Sequence, residues 1–387
     1  MYTTPGNALT FTKTTVPNSK CQAYQITANN GVFGRVQLTI NYANGIVQTV
    51  HHFVTASQLA TGEKYADQSF TNSYFNDTSD QFHRYGLVTY DQIANAQVLQ
   101  DDRAWIAGEA DKAGSQYEGI CMKESAHPNK EHIFQLEQMV NHSIWSNLQN
   151  FDYSVKRSLF FYEPSAVPGY PYSTRISWGG TWNKNDAYST WRAEDYVHAS
   201  AIYYALYRAS RVSLGILKLQ TPMWYWNQAF HTVVASQNHI VYADVGLMGE
   251  TMWVKLLEDL SAEGLSSEAA QVTQTMKGRQ ALWATQSGPF GSEMQRHSTA
   301  EEGVYAWSRN FKDQATMTKS LDYIRGYTPT VAHWGWNGSA RHYWDFLYGG
   351  KLPRVERMIY HYGSSLNALP PLDNYKYQSS PASPAAF

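Results

Sequence analysis

Cysteine is nearly absent from this chain: Cys21 and Cys121 are the only two in 387 residues, and they share no CxxC spacing. That excludes a disulfide framework and a cysteine-rich metal module. Charge is scarce too. Asp, Glu, Lys and Arg make up 16% of the residues, with a net charge of −2, where a quarter is usual. A near-neutral chain with a pI near 6.7 offers no electrostatic footprint for nucleic acid. The histidines are scattered and HExxH is missing, so no metal site is expected. The sequence has no GxGxxG after a strand, no P-loop and no GxSxG elbow. These absences argue against dinucleotide, nucleotide-triphosphate and serine-hydrolase sites, and no cofactor is expected. No apolar run approaches the roughly 18 residues of a membrane span. The opening MYTTPGNALT lacks the charged and apolar regions of a signal peptide.

Aromatic residues are abundant instead, at 14%, with 13 Trp and 28 Tyr. Rings bury large areas, so part of this excess is core; the remainder suits a concave surface on which rings stack against ligands. Asn76-Asp77-Thr78, Asn141-His142-Ser143 and Asn337-Gly338-Ser339 match the N-glycan acceptor pattern, which is short enough to arise by chance.

Residues 1–55 alternate apolar and polar positions in LTFTKTTV, YQITA, FGRVQLTINYA and IVQTVHHFVT. This pattern predicts four strands of one small sheet, with Asn29-Asn30-Gly31 and Asn44-Gly45 as turns. From Ala56 the period becomes helical. Helices are expected near 56–72, 103–124, 129–149, 190–212, 221–236, 238–262, 266–286, 299–311, 313–326, 339–347 and 351–366, with 90–100 as a further short candidate. The 190–212 stretch is apolar on most faces and belongs inside a helical assembly, whereas 266–286 reads as an outer, amphipathic helix. Inner and outer helices alternating along a chain imply two concentric layers. The Pro- and Gly-containing segment 150–190 carries Tyr162, Tyr170, Tyr172, Trp178 and Trp182, and its length suggests a binding loop. The tail 373–387 is rich in Pro, Ser and Ala.

Four constellations can carry chemistry. At 287–311, Glu293, His297, Glu301 and Glu302 gather at a loop-to-helix corner. Glycoside cleavage uses such carboxylate pairs, one as acid and one as base or nucleophile. Ser298-x-x-Glu301 and Thr299-x-x-Glu302 also match the capping box, which would make either glutamate structural. At 191–196, Arg192, Glu194 and Asp195 open a nearly wholly apolar helix, where charges need partners or a wet cavity; interaction with the helix N-terminus is the plainer account. At 99–114, Asp102 is placed to cap a helix starting at Arg103, with Glu109 and Asp111 solvated. At 333–345, Trp334 and Trp336 beside glycines resemble a sugar-stacking platform that Trp178 and Trp182 would face.

DDRAWIAGEAD at 101–111, SLFFYEP at 158–164, PFGSE at 289–293, EEGVYAWSR at 301–309, HWGWNGSARHYWDFLYGGKLPRVER at 333–357 and HYGSSLNALPPL at 361–372 resemble an uncharacterised family of α/α six-hairpin barrel proteins that look similar to glycoside hydrolases. The resemblance covers about His51 to Leu372. It implies an N-terminal β-sandwich, a helical α/α toroid, and action on carbohydrate outside the cell. Two departures stand out: the β region is shorter than expected of the family, and Asp111-Lys112 stands where Asp-Glu is expected. The missing β portion would be upstream or on a separate chain. The resemblance supplies no catalytic residues.

The expected organisation is therefore mainly α: a β segment over 1–55, a partial sandwich, then an α/α six-hairpin toroid over 56–372. The expected function is glycoside hydrolysis of a poly- or oligosaccharide, without metal, nucleic acid or membrane. One of Glu293, Glu301 and Glu302 would face Glu194 or Asp195, while Trp178, Trp182, Arg192, His297, Tyr305, Trp334 and Trp336 bind sugar. Polysaccharide elimination on the same scaffold, with Tyr or His as base and Arg neutralising a uronate (Arg296, His297, Tyr305, Arg309), is the alternative. A non-catalytic glycan-binding protein is the third reading.

Overall fold

A computed structural model of the chain describes residues 1–17, 20–107, 109–241, 244–288, 290, 298–327 and 361–377, leaving out the side chains of 111–117, 361, 362 and 377. The β region has five strands: β1 (Tyr2–Thr4), β2 (Leu9–Thr15), β3 (Gln22–Ala28), β4 (Gly34–Asn41) and β5 (Val47–Val54). They do not form the single sheet expected. β4 pairs antiparallel with β1 on one edge (Tyr2↔Thr39) and with β5 on the other (Gly34↔Val54 to Asn41↔Val47), while β2 and β3 form a separate ribbon in the register Leu9↔Ala28. Both edges of β4 are taken, and the ribbon packs on the sheet through side chains. Ala8, Leu9 and Val36 make its small core, with Phe11, Val32 and Val54 against them.

α1 (Gln58–Asn72) starts at Ser57, whose Oγ accepts the Ala60 N–H. The 90–100 stretch is not helical. β6 (Tyr90–Asp91) and β7 (Ala96–Gln97) form a hairpin there, because Asp91 Oδ1 accepts the N–H groups of Ile93 and Ala94 and turns the chain. The helix expected from 103 starts later. Asp101, not Asp102, accepts the Arg103 N–H and pairs with its guanidinium, giving only a 3₁₀ turn at Ala104–Ile106 before α2 (Asp111–Ala126). Glu109 is fully buried rather than solvated, its Oε1 accepting the Leu87 N–H at 3.1 Å.

α3 (Lys130–Met139) runs into a π turn at Val140–Ile144, and a short α4 (Lys184–Ala187) interrupts the long connection to α5 (Ala193–Val212). Then come α6 (Pro222–His239), α7 (Thr251–Ala262), α8 (Ser266–Thr285), α9 (Ala300–Asn310), α10 (Gln314–Tyr327) and α11 (His361–Tyr377). The single helix expected over 238–262 is only α7, because Gly249 lies at φ +87° just before it and ends any continuous helical path. The expected helix 339–347 and most of 351–366 lie outside the described residues.

The helices form two layers. α5 packs on α6, α7 on α8 and α9 on α10, while α2, α5, α7, α9 and α11 adjoin in one layer and α6, α8 and α10 in the other. α5 is buried along nearly its whole length; α8 buries one stripe, Ala269, Val272, Met276, Arg279, Gln280 and Trp283. This matches the alternation of inner and outer helices. Trp226, Trp253, Trp283 and Trp307 fill the interior, and the indole N–H groups of Trp253 and Trp283 donate to Ser200 Oγ and the Asp244 carbonyl.

Candidate active site

The inner helices α5, α7 and α9 each begin with acid. Glu194 and Asp195 occupy the first turn of α5, Glu250 is the N-cap of α7, and Glu301 and Glu302 occupy the first turn of α9. All five are buried. The partial positive charge of a helix N-terminus makes such positions the least costly ones for a buried carboxylate.

Neither glutamate of α9 forms a capping box. Thr299 is the N-cap and its side chain makes no capping bond. Glu302 instead caps a different helix: Oε2 accepts the Gly249 N–H at 3.0 Å, Oε1 the Thr251 N–H at 2.8 Å, and the Thr251 hydroxyl donates to Oε1 as well. Glu301 reaches the other way, accepting the Phe290 N–H at 3.1 Å, with the Ser320 hydroxyl beside its carboxyl. Burial pushes the Glu301 carboxyl up to about 8. Glu250 forms a buried ion pair with Arg279, yet burial still pushes it up to about 7.

These acids converge on two residues that the sequence did not single out. Glu118, on α2, lies under the electrostatic influence of both Glu302 and Glu194; burial first, then those two charges, push it up to about 8. Its Oε1 has no hydrogen bond among the described residues, although 22% of the side chain stays accessible. His198, one turn along α5 from Glu194, places Nε2 3.7 Å from Glu118 Oε1. Neither of its ring nitrogens makes a hydrogen bond among the described residues. Burial, with the Arg192 charge beside it, lowers His198 to about 3. At neutral pH the pair is therefore a neutral imidazole beside a protonated carboxyl.

Gly249 makes this approach possible. A Cβ there would lie 2.6 Å from Glu118 Oε1, and one on Gly303 would lie 2.6 Å from Glu250 Oε2. Two glycines thus let carboxyl groups pack directly against the backbone of α7's start and of α9.

Glu194 and Glu302 both act on the charge of Glu118, which the sequence did not pair with either. Arg192 stands at the start of α5 near His198. Tyr305 is buried beside Arg309 and Asp373, which pair across α9 and α11 at 2.8 Å. Trp178 stacks on Tyr162 (4.3 Å, 6°) and donates its indole N–H to the Ser173 carbonyl. Trp182, 8% exposed, packs by Trp105 with the Arg157 guanidinium 4.0 Å over its ring. Glu293, Arg296, His297, Trp334 and Trp336 lie outside the described residues.

His198 was legible as a polar residue inside an apolar helix. Glu118 lay four residues beyond the acidic stretch that drew notice. A cavity of about 410 Å³ opens elsewhere, between α1, α2 and the start of α3, lined by Glu63, Asp67, Lys123, His127, Asn129 and Val212 among others. Among the described residues, no three His, Cys, Asp or Glu side chains group as ligands for a metal ion.

Residues 1–384 match the family of unknown function DUF5695. The chain belongs to that family. No curated protein matches this DUF5695 chain. Among solved structures it is similar to a polysaccharide lyase, with a TM-score of 0.59 and 13% identity over 92% of this chain. It spans about half of the lyase's length, 49%. At that identity the likeness is one of fold, and the shared fold is mainly helical.

Proposed function

We propose that this DUF5695 chain is a carbohydrate-active enzyme that cleaves a uronate-containing polysaccharide by β-elimination, outside the cell, on a ring of α/α hairpins closed as a toroid. The observation that carries the reading is the neutral His198 held 3.7 Å from the protonatable Glu118. The fold likeness to a polysaccharide lyase supports it, as an analogy of scaffold rather than of site.

In this reading the Glu118 carboxyl donates a hydrogen bond to the substrate carboxylate, offsetting the charge that grows as the adjacent C–H loses its proton. A carboxylic acid kept neutral at working pH is suited to that task. His198 takes the proton from C5. The C4–O bond then breaks, its electron pair stays on the leaving oxygen, and the imidazolium returns the proton to that oxygen. The unsaturated sugar keeps the double bond. His198 is a weak base in the empty site, and a uronate carboxylate brought against it raises its proton affinity.

Glycoside hydrolysis, the chemistry expected from the sequence, stands as a second reading because one observation favours it. Glu118 as proton donor beside Glu194 and Glu302 is the pairing of acid and carboxylate that hydrolysis uses. A polysaccharide panel, neutral and uronate-containing, read together for ultraviolet absorbance and new reducing ends, separates the two. Elimination gives both signals and hydrolysis gives reducing ends alone. Binding without either signal would reduce the protein to a glycan-binding one and sink both enzymatic readings.

A further inference from the structure

Glu302 is tied to Glu118 through a single residue. It accepts the Gly249 N–H, and the Cα of the same glycine lies against the Glu118 carboxyl, with no room for a Cβ between them. The two carboxyl groups differ in one decisive way. Glu302 receives donors from Gly249 and from both the backbone and hydroxyl of Thr251, at the N-terminus of α7. Glu118 Oε1 receives none among the described residues. When buried carboxyl groups share protons, the proton goes to the one without donors, because protonating the other would set O–H against N–H.

We propose that Glu302 is a positioning residue for this site: its buried charge, fixed by the start of α7, keeps the proton on Glu118, and its grip on Gly249 sets where that carboxyl lies. The assignment deepens the enzymatic reading above and rests on it for the use to which Glu118 is put. The other groups around Glu118 are shared between the elements that meet here. α5 contributes Glu194, Asp195, His198 and Arg192; Glu250 and Arg279 stand behind Glu302; Tyr65 of α1 and Cys121 and Glu124 of α2 complete the set. Of these, Glu302 and Glu194 are the charges that act most directly on Glu118. Glu302 is also bonded to the backbone that Glu118 touches.

The test is a carbon-13 titration of the full chain with labelled glutamate, the Glu118 carboxyl signal identified by its loss in Glu118→Gln. In Glu302→Gln the Glu118 midpoint should fall by on the order of one pH unit. Thr251→Val keeps the carboxylate group, removes one donor that holds Glu302 ionised, and should lower the midpoint by a smaller step. It also serves if Glu302→Gln does not fold. An unchanged Glu118 midpoint in a folded variant, with only a lower thermal midpoint, would show Glu302 to be no more than a helix cap and overturn the assignment. If wild type cleaves polygalacturonate or another polyuronate, the alkaline limb of kcat/KM should move with the titration. If it cleaves none, the elimination reading fails, while the titration still decides the coupling.

Discussion

Two buried regions of this molecule contrast in how they treat their polar atoms. Beneath the 150–190 segment, Phe82, Phe160, Phe161 and Trp182 form an aromatic cluster, ringed by side chains whose polar ends are bonded, apart from His83 Nε2 beside Phe82 and Phe160. Tyr170 donates to Asp80, Tyr172 to the Phe161 carbonyl, and Trp178 to the Ser173 carbonyl. At the junction of α2, α5, α7 and α9, Glu118 Oε1 and both ring nitrogens of His198 have no hydrogen bond among the described residues. Native interiors leave few such atoms, and each one costs stability. The first region has the character of structure, the second of a site held at the fold's expense.

The largest expected effect breaks this contrast at the acidic junction. Glu118→Leu keeps the approximate volume and removes the hydrogen-bond donor that faces the substrate carboxylate, so turnover on a cleaved polysaccharide should fall about 10²–10³-fold. Its thermal midpoint at neutral pH should be unchanged or raised. A variant with full turnover would show Glu118 to be a bystander. Phe160→Ala, in the other region, should do the reverse. Deleting a fully buried ring that packs edge-on to Phe82 at 5.4 Å costs about 3–5 kcal/mol. Denaturant unfolding would read that loss, with kcat unchanged in the protein that remains folded.

The contrast also shows which parts of the molecule were legible before its structure. The inner–outer alternation of helices was readable because α5 and α8 carry different burial patterns in their own residues. So was the acid at the start of α5 and α9. The partners of that acid were not. Glu302 caps α7, a helix that begins 51 residues before it, and a local motif, the capping box, gave a competing account of the same residue. Glu118 has no motif at all, and only the packing of α2 on α5 brings it to His198. Four of the five N-terminal strands were legible, but β1 was not, and their division into a sheet and a ribbon depends on which edges β4 uses, a long-range choice that alternation does not encode.

A pH effect of intermediate size sharpens the comparison, because the acidic junction holds three glutamates raised toward neutrality. Glu118, Glu301 and Glu250 are held at about 8, 8 and 7 in the fold, against 4.5 for an ordinary glutamate. Their contribution is fully present below the unfolded value and is lost as pH rises toward the folded one. His198, lowered from 6.5 to about 3, works in the opposite direction, its contribution being lost as pH falls below 6.5. Between pH 6.5 and 8 the loss from the glutamates outweighs the effect of the histidine, and the thermal midpoint should fall steadily across that window. Glu301→Gln should flatten the fall without changing turnover. A midpoint that rises over the same range would contradict the protonation states assigned to the junction.

The smallest effect decides what Trp178 is for. Its ring lies flat on Tyr162 and its indole N–H is already bonded within the segment, so Trp178→Leu should remove a ring pair worth about 0.5–1.5 kcal/mol. Equilibrium unfolding would show a modest loss. Affinity for a bound polysaccharide should be unaltered, since the face given to Tyr162 is not available to a sugar. If the affinity instead drops tenfold or more with stability unchanged, Trp178 presents its other face to substrate. The aromatic cluster would then join the acidic junction as part of one extended cleft, and the division between the two regions would be one of subsites rather than of structure and chemistry.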